Sequence, residues 1–140
     1  MSLLPCALLI DDDDTTNYLN RRLIQRMGIT DTVLVAPNGA EAMRLLYTNQ
    51  EQHLPNDCPA LILLDLKMPI MDGFTFLEAF AHRTHGRIGT VIIMLTTSLH
   101  ADDVQRMETL PIAGYLTKPL TEDKIKGVLE THFGYLEPGN

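Results

Sequence analysis

Five short apolar runs alternate with five amphipathic segments along this chain, and that alternation leaves few folds open to it. The runs are Cys6–Ile10, Thr32–Ala36, Ala60–Asp65, Thr90–Leu95 and Ile112–Leu116. Each is too short for a stable helix and suits a strand; the first, third and fourth are continuous enough to be covered on both faces. Between them, Thr15–Met27, Asn38–Asn49, Gly73–Arg83, Asp102–Thr109 and Thr121–Phe133 read as helices. In the first, Leu19, Leu23 and Met27 recur at i, i+4 and i+8, and Asp14 is placed to cap it. In the second, Asn38 and Glu41 have near capping-box spacing, and Ala42, Leu45 and Leu46 share a face. Asp72 caps the third, which buries Phe76, Leu77 and Phe80. Asp102–Thr109 is the most polar. Thr121 caps the last, with Ile125, Val128, Leu129, His132 and Phe133 facing inward. Glu51–Pro59, polar with two prolines, reads as a loop, and Tyr135–Asn140 as a loose tail.

Parallel strands need a crossover between them, and right-handed crossovers place helices on both faces of the sheet. The expected class is therefore α/β: a (βα)5 doubly wound sheet of five parallel strands. In such sheets the functional crevice lies at the carboxyl ends of the strands.

A length of 140 residues suits one domain, and 45% hydrophobic content is enough for a core. The net charge of −7 argues against nucleic acid or an anionic membrane as the main partner. No apolar run reaches the length of a membrane span, and no signal peptide is visible, since Leu8-Leu9-Ile10 runs straight into four aspartates. The expected location is the cytoplasm. Cys6 and Cys58 lack metal-ligand spacing and are expected there as reduced, buried thiols.

The strand ends carry the chemistry. Asp11 and Asp12 follow the first strand, Asp65 ends the third, Thr96 follows the fourth, and Lys118 stands just past the fifth. Singly, each has an ordinary explanation: a helix cap, a loop cap, a β-branched residue, a solvated lysine. Together they are harder to dismiss. Two carboxylates about 4 Å apart repel by roughly 4 kcal/mol at an effective dielectric near 20. A third makes the site worse, so the cluster calls for a cation or for shifted pKa values. Oxygen ligands without Cys or His favour Mg²⁺, with Mn²⁺ as the alternative. Beside a cation, Asp65 becomes a candidate nucleophile toward a phosphoryl group, Lys118 a charge partner and Thr96 a hydroxyl donor. Pro119 fixes the backbone after Lys118, and a cis bond there would aim the ammonium inward.

These residues fall in stretches that resemble the receiver domain of two-component response regulators, including the single-domain chemotaxis type. The stretches are Leu-Ile-Asp11-Asp12-Asp13, Leu-Leu-Asp65-Leu-Lys-Met-Pro69-Ile-Met-Asp72-Gly73, Met-Leu-Thr96-Thr and Tyr115-Leu-Thr-Lys118-Pro119. The resemblance runs from about Cys6 to Phe133, giving a receiver domain over 1–134 and a tail over 135–140. It implies the flavodoxin-like strand order 2-1-3-4-5. It implies that Asp65 accepts the phosphoryl group and that Mg²⁺ is bound by Asp11, Asp12, Asp65 and the backbone carbonyl of Lys67. Lys118, Thr96 and the backbone amide of Thr97 would hold the phosphoryl oxygens, and Thr96 and Tyr115 would form the switch. The implied donor is a phosphohistidine on a sensor histidine kinase or a histidine phosphotransfer protein. The chain would catalyse only its own phosphorylation and dephosphorylation, and so is not expected to be an enzyme toward other substrates. The face of the fourth helix, fifth strand and fifth helix would bind a downstream target or a second copy. It carries Asp102, Asp103, Arg106, Glu108, Glu122, Asp123, Lys124 and Lys126. The first helix would dock the kinase, with Asn17, Asn20 and Arg21 on its outer side, and Ile24 fits either that side or the core.

Thr97 stands where many members carry Ala or Gly, and Lys67 and Ser98 border the pocket at variable positions. Too few residues follow Phe133 for a DNA-binding module. The chain would then act by docking, relay a phosphoryl group or be part of a longer polypeptide. Three other readings are weaker. An aspartyl phosphatase needs an acid two residues past its nucleophile, where Lys67 stands. A nucleotide-binding domain needs a glycine-rich phosphate cradle, which is missing. A pseudo-receiver would lack one of the aspartate, threonine or lysine positions, and none is lost.

Overall fold

The computed structural model describes residues 3–47, 59–66, 68, 70–83, 90–97, 100–110 and 112–134. Strands and helices alternate as β1 (Ala7–Ile10), α1 (Asp14–Arg26), β2 (Val33–Ala36), α2 (Gly39–Tyr47), β3 (Leu61–Asp65), α3 (Gly73–Arg83), β4 (Val91–Thr96), α4 (Ala101–Glu108), β5 (Gly114–Thr117) and α5 (Glu122–Phe133). All neighbouring strands are parallel, in the order β2-β1-β3-β4-β5. This is the expected (βα)5 doubly wound sheet.

The period of two along each strand sends alternate side chains to opposite faces, so one sheet builds two cores. Leu9, Leu63 and Leu95 meet Leu23 and Ile24 of α1 and Ile125, Val128 and Leu129 of α5. Leu8, Ile62, Leu64 and Met94 meet Ala42 of α2, Phe76, Leu77 and Phe80 of α3, and Met107 of α4. Both central strands, β1 and β3, are buried along their whole length. Their register, Ala7↔Leu61 through Ile10↔Leu64, sets Asp11 and Asp65 side by side at one end of the sheet.

Several local expectations change. Asp13, not Asp14, caps α1: its carboxylate accepts from the Thr15 amide (3.3 Å) and the Thr16 hydroxyl (2.6 Å). Of the expected stripe on α1, Leu23 and Met27 pack on the core, but the helix is turned so that Leu19 does not. Asn17, Asn20, Leu23 and Ile24 face inward, while Leu19 is 58% exposed. Hydrogen bonding lets polar Asn17 occupy an inward position that hydropathy alone would give to Leu19. Thr96 is the last residue of β4 rather than the first beyond it. His132 is exposed, leaving Phe133 to pack against the core. Capping by Asn38, Asp72 and Thr121 is as expected, through the amides of Glu41 (2.9 Å), Thr75 (2.8 Å) and Lys124 (3.3 Å). The expected Glu51–Pro59 loop, apart from residue 59, and the 135–140 tail lie outside the described residues.

Cys6 is disulfide-bonded, which corrects the expectation of a thiol. That expectation rests on compartment, an argument silent about geometry. Cys6 is fully buried, and its carbonyl accepts from the Ala60 amide (3.0 Å), so it sits where β1 meets the start of β3. Cys58, the only other cysteine of the chain, lies outside the described residues.

Candidate functional site

The site forms where β1, β3, β4 and β5 end. Asp11 directly follows β1 and is 4% exposed. Its Oδ1 accepts from the Asp13 amide (2.9 Å), which turns the chain from strand into α1. Asn17 reaches back from α1, its Nδ2 donating to the Asp11 carbonyl (2.8 Å). Its Oδ1 is buried without a hydrogen-bond partner among the described residues. Asp12 is exposed beside it. Asp65 ends β3 and is 7% exposed.

Gly73 is what lets α3 start so close to Asp65. A β-carbon on Gly73 would lie 2.7 Å from the Asp65 carbonyl oxygen and 3.2 Å from the Leu66 α-carbon. Real β-carbons do not approach backbone that closely. The Gly73 amide donates to the Leu66 carbonyl (3.0 Å), closing the loop over the end of β3. Within that loop Ile70 is 84% exposed with φ of 71°, a left-handed conformation that opposes a β-branched side chain.

Ligand oxygens of Asp11, Asp12 and Asp65 all lie within 4.8 Å of one another. Lys118 answers part of that charge. Its ammonium is 2.6 Å from Asp11 Oδ2 and 3.1 Å from Asp65 Oδ1. The Lys118–Pro119 peptide is cis, and the Lys118 amide donates to the Thr96 carbonyl (2.8 Å). Thr96 is buried and level with Thr117 across the β4–β5 ladder.

The electrostatics follow from this crowding. Burial, reinforced by the Asp11 carboxylate, pushes the Asp65 carboxyl up to about 6 in spite of Lys118. For Lys118, burial works against the charge, but its bonds to Asp11 and Asp65 outweigh that and hold its pKa above the usual lysine value. Asp13, bonded to the Thr16 hydroxyl, is held below the usual carboxylate range. A hard divalent cation suits the three-carboxylate pocket, whose donors are all oxygen.

Asp11, Asp12, Asp65 and Lys118 come together at one end of the sheet, and the Thr96 carbonyl adjoins them through the Lys118 amide. Thr97 is exposed on the rim, and Tyr115 is 37% exposed on β5. Lys67 and Ser98 lie outside the described residues. Asn17, Ile24 and Asn20 are buried and so do not form the outer side of α1 expected for docking. Arg21 is exposed there as expected, and Tyr18, Leu19 and Arg22 make up the rest of that side. A groove of about 650 Å³ runs between α1 and the β5–α5 turn, lined by Leu19, Arg22, Arg26, Thr97 and Lys118 among others. Sequence reasoning missed this groove, which depends on the helix phase.

Comparison with known proteins agrees with this geometry. Residues 7–130 match the model of the response regulator receiver domain, and the chain belongs to that family. It is similar to a probable chemotaxis protein CheY of Rhizobium etli, 31% identical over 131 residues, covering 94% of each chain. It is also similar to part of the sensor histidine kinase CheAY of Helicobacter pylori, 30% identical over 125 residues, covering 89% of this chain and 14% of that protein. Among solved structures, a two-component response regulator from Cytophaga hutchinsonii superposes with a TM-score of 0.79 at 25% identity, covering 93% of this chain and 97% of that one. The chain is thus a CheY-like receiver of two-component signalling. Its relatives include response regulators and the receiver portions of sensor kinases. Among the described residues no helix is long and apolar enough to cross a membrane.

Proposed function

We propose that Asp65 accepts a phosphoryl group from the phosphohistidine of a sensor histidine kinase or histidine phosphotransfer protein, in a Mg²⁺-dependent reaction. The observation that carries this reading is the Lys118 ammonium held between Asp11 (2.6 Å) and Asp65 (3.1 Å) beside a third carboxylate. A carboxylate oxygen of Asp65 attacks phosphorus, the P–N bond breaks, and its electron pair leaves on the imidazole nitrogen. Water later attacks the acyl phosphate, releasing inorganic phosphate and the free carboxylate. Mg²⁺ held by Asp11, Asp12, Asp65 and the Lys67 carbonyl would supply positive charge for the phosphoryl oxygens; Mn²⁺ has the same preference for oxygen. Lys118 meets another of those oxygens, and the Thr96 hydroxyl and Thr97 amide the rest. The chain's catalysis is confined to its own phosphorylation and hydrolysis.

The groove beside α1 is where the donor would dock, since it reaches Thr97 and Lys118 and exposes Leu19 at its edge. Phosphorylation adds roughly −1.5 to −2 charge. Thr96 drawn toward the phosphoryl group vacates space for Tyr115, biasing the α4-β5-α5 face toward a target or a second copy. On that face Arg106 and Lys124 each have a partner within the chain. The Arg106 guanidinium stacks 3.8 Å from the Phe74 ring centroid, and the Lys124 ammonium is bonded to the β5–α5 turn. The setting is cytoplasmic, with neither nucleic acid nor membrane as partner.

Intact mass after incubation with acetyl phosphate tests the reading. A phosphoryl adduct is expected on the wild type with Mg²⁺, and none without Mg²⁺ or on Asp65→Asn. An adduct of equal yield on Asp65→Asn would refute the assignment.

A further inference from the structure

Lys124 occupies an unexpected place for a cation. It is the third residue of α5, where the positive end of the helix dipole opposes a positive side chain. Its ammonium turns away from the helix into the preceding turn. There it donates to the Thr117 carbonyl (2.7 Å), the Thr117 hydroxyl (3.3 Å) and the Pro119 carbonyl (3.0 Å). An ammonium has three donors, and three acceptors meet them. The two carbonyls flank Lys118 on either side. The Lys118 amide is itself tied to the Thr96 carbonyl (2.8 Å). The main chain at Lys118 is therefore held at three points, two of them by one side chain.

From this geometry we propose that Lys124 is a positioning residue for Lys118, a role that rests on the phosphoacceptor reading above. Lys118 is long and flexible, and its ammonium must span Asp11 and Asp65 at once. The start point of that side chain is the backbone between Thr117 and Pro119. Lys124 fixes that start point, and its three bonds all go to the turn rather than to the acids. Displacing a catalytic group by 1 Å can cost about 100-fold in rate. Loss of one of several restraints gives a smaller shift, so a slowing of about 10-fold is expected when Lys124 loses its donors.

The test is a double-mutant cycle on the full chain, reading the initial rate of phosphoryl adduct formation from acetyl phosphate at saturating Mg²⁺. Each variant is first checked for a complete urea transition, with rates taken well below its midpoint. Lys124→Met keeps the aliphatic stem and removes the donors; about a 10-fold slowing is expected. Lys124→Arg keeps charge and donors and is expected within about threefold of wild type. In a Lys118→Ala background, Lys124→Met is expected to cost no more than about twofold further, because a residue acting through Lys118 has nothing left to act on. A general loosening of α5 would slow both backgrounds alike and would overturn the proposal. So would Lys124→Met at wild-type rate, or Lys124→Arg as slow as Lys124→Met. If Lys118→Ala is too slow to follow, the comparison of the Arg and Met variants decides. Failure of the phosphoacceptor reading is separately visible, as a wild type that gains no mass.

Discussion

At the scale of single residues, the candidate site groups are legible because the fold puts strand ends together and the sequence marks strand ends. Asp11, Asp65 and Thr96 each close an apolar run, so locating the runs located them. Lys124 and Asn17 were not legible in the same way. Their importance lies in where a long or amide side chain turns, and nothing in hydropathy reports that. The one hint for Lys124 was its position in the first turn of a helix, where a cation is out of place. Ile70 is the opposite case, a residue whose identity conflicts with its conformation. It is 84% exposed, so it contributes little packing, and its φ of 71° is costly for a β-branched side chain. Replacing it with Asn, which tolerates the left-handed region, is expected to stabilise the fold by about 1 kcal/mol. A rise in the urea midpoint at unchanged slope would bear this out; a fall would mean that Ile70 makes a stabilising contact despite its exposure.

At the scale of elements, helix and strand identities followed from periodicity, and most boundaries fell within a residue or two. The difference that matters is rotational. Apolar residues on α1 admit two phases, and Leu19 marks one of them. The structure adopts the other, with Asn17 bonded to the Asp11 carbonyl and Leu19 at 58% exposure. That rotation puts Leu19 on the rim of the groove leading to Lys118. If the groove receives the donor, Leu19→Glu should slow transfer from a phosphohistidine protein by about 10-fold or more, since an uncompensated charge would enter the contact. The rate with acetyl phosphate, which needs no docking, should stay within about twofold of wild type. Equal slowing with both donors would point to damage at the site instead.

At the scale of the whole molecule, the proposed phosphoacceptor Asp65 also ties stability to pH. Its folded pKa of about 6 lies above the unfolded value of 3.8, so the folded state binds the proton more tightly between those values. Stability is therefore gained as pH falls from about 7 through 6 toward 4, and lost as pH rises through the same window. The contribution is on the order of 2 kcal/mol after allowance for solvent screening. Other acids titrate too, so the useful quantity is the difference in unfolding free energy between wild type and Asp65→Asn. In the absence of divalent cation, acidification from about pH 7.5 to pH 5 should raise wild-type stability relative to the variant. Saturating Mg²⁺ should flatten that difference by keeping the carboxylate ionised. A difference independent of pH without Mg²⁺ would show that Asp65 titrates normally. No part of this linkage could be read from the sequence, where Asp65 is one acid among 18 acidic residues. It arises from burial by strands and helices distant in the chain.

The Lys118 ammonium also has a consequence for which ions the pocket can accept. Three carboxylates and one ammonium leave two negative charges in a small, partly buried space. A divalent ion brings that space to electroneutrality. A monovalent ion leaves a residual charge, and a trivalent one overshoots. If the pocket holds a metal, its charge would favour a divalent ion before any ligand distance is considered, and the residue that tips that balance is a cation.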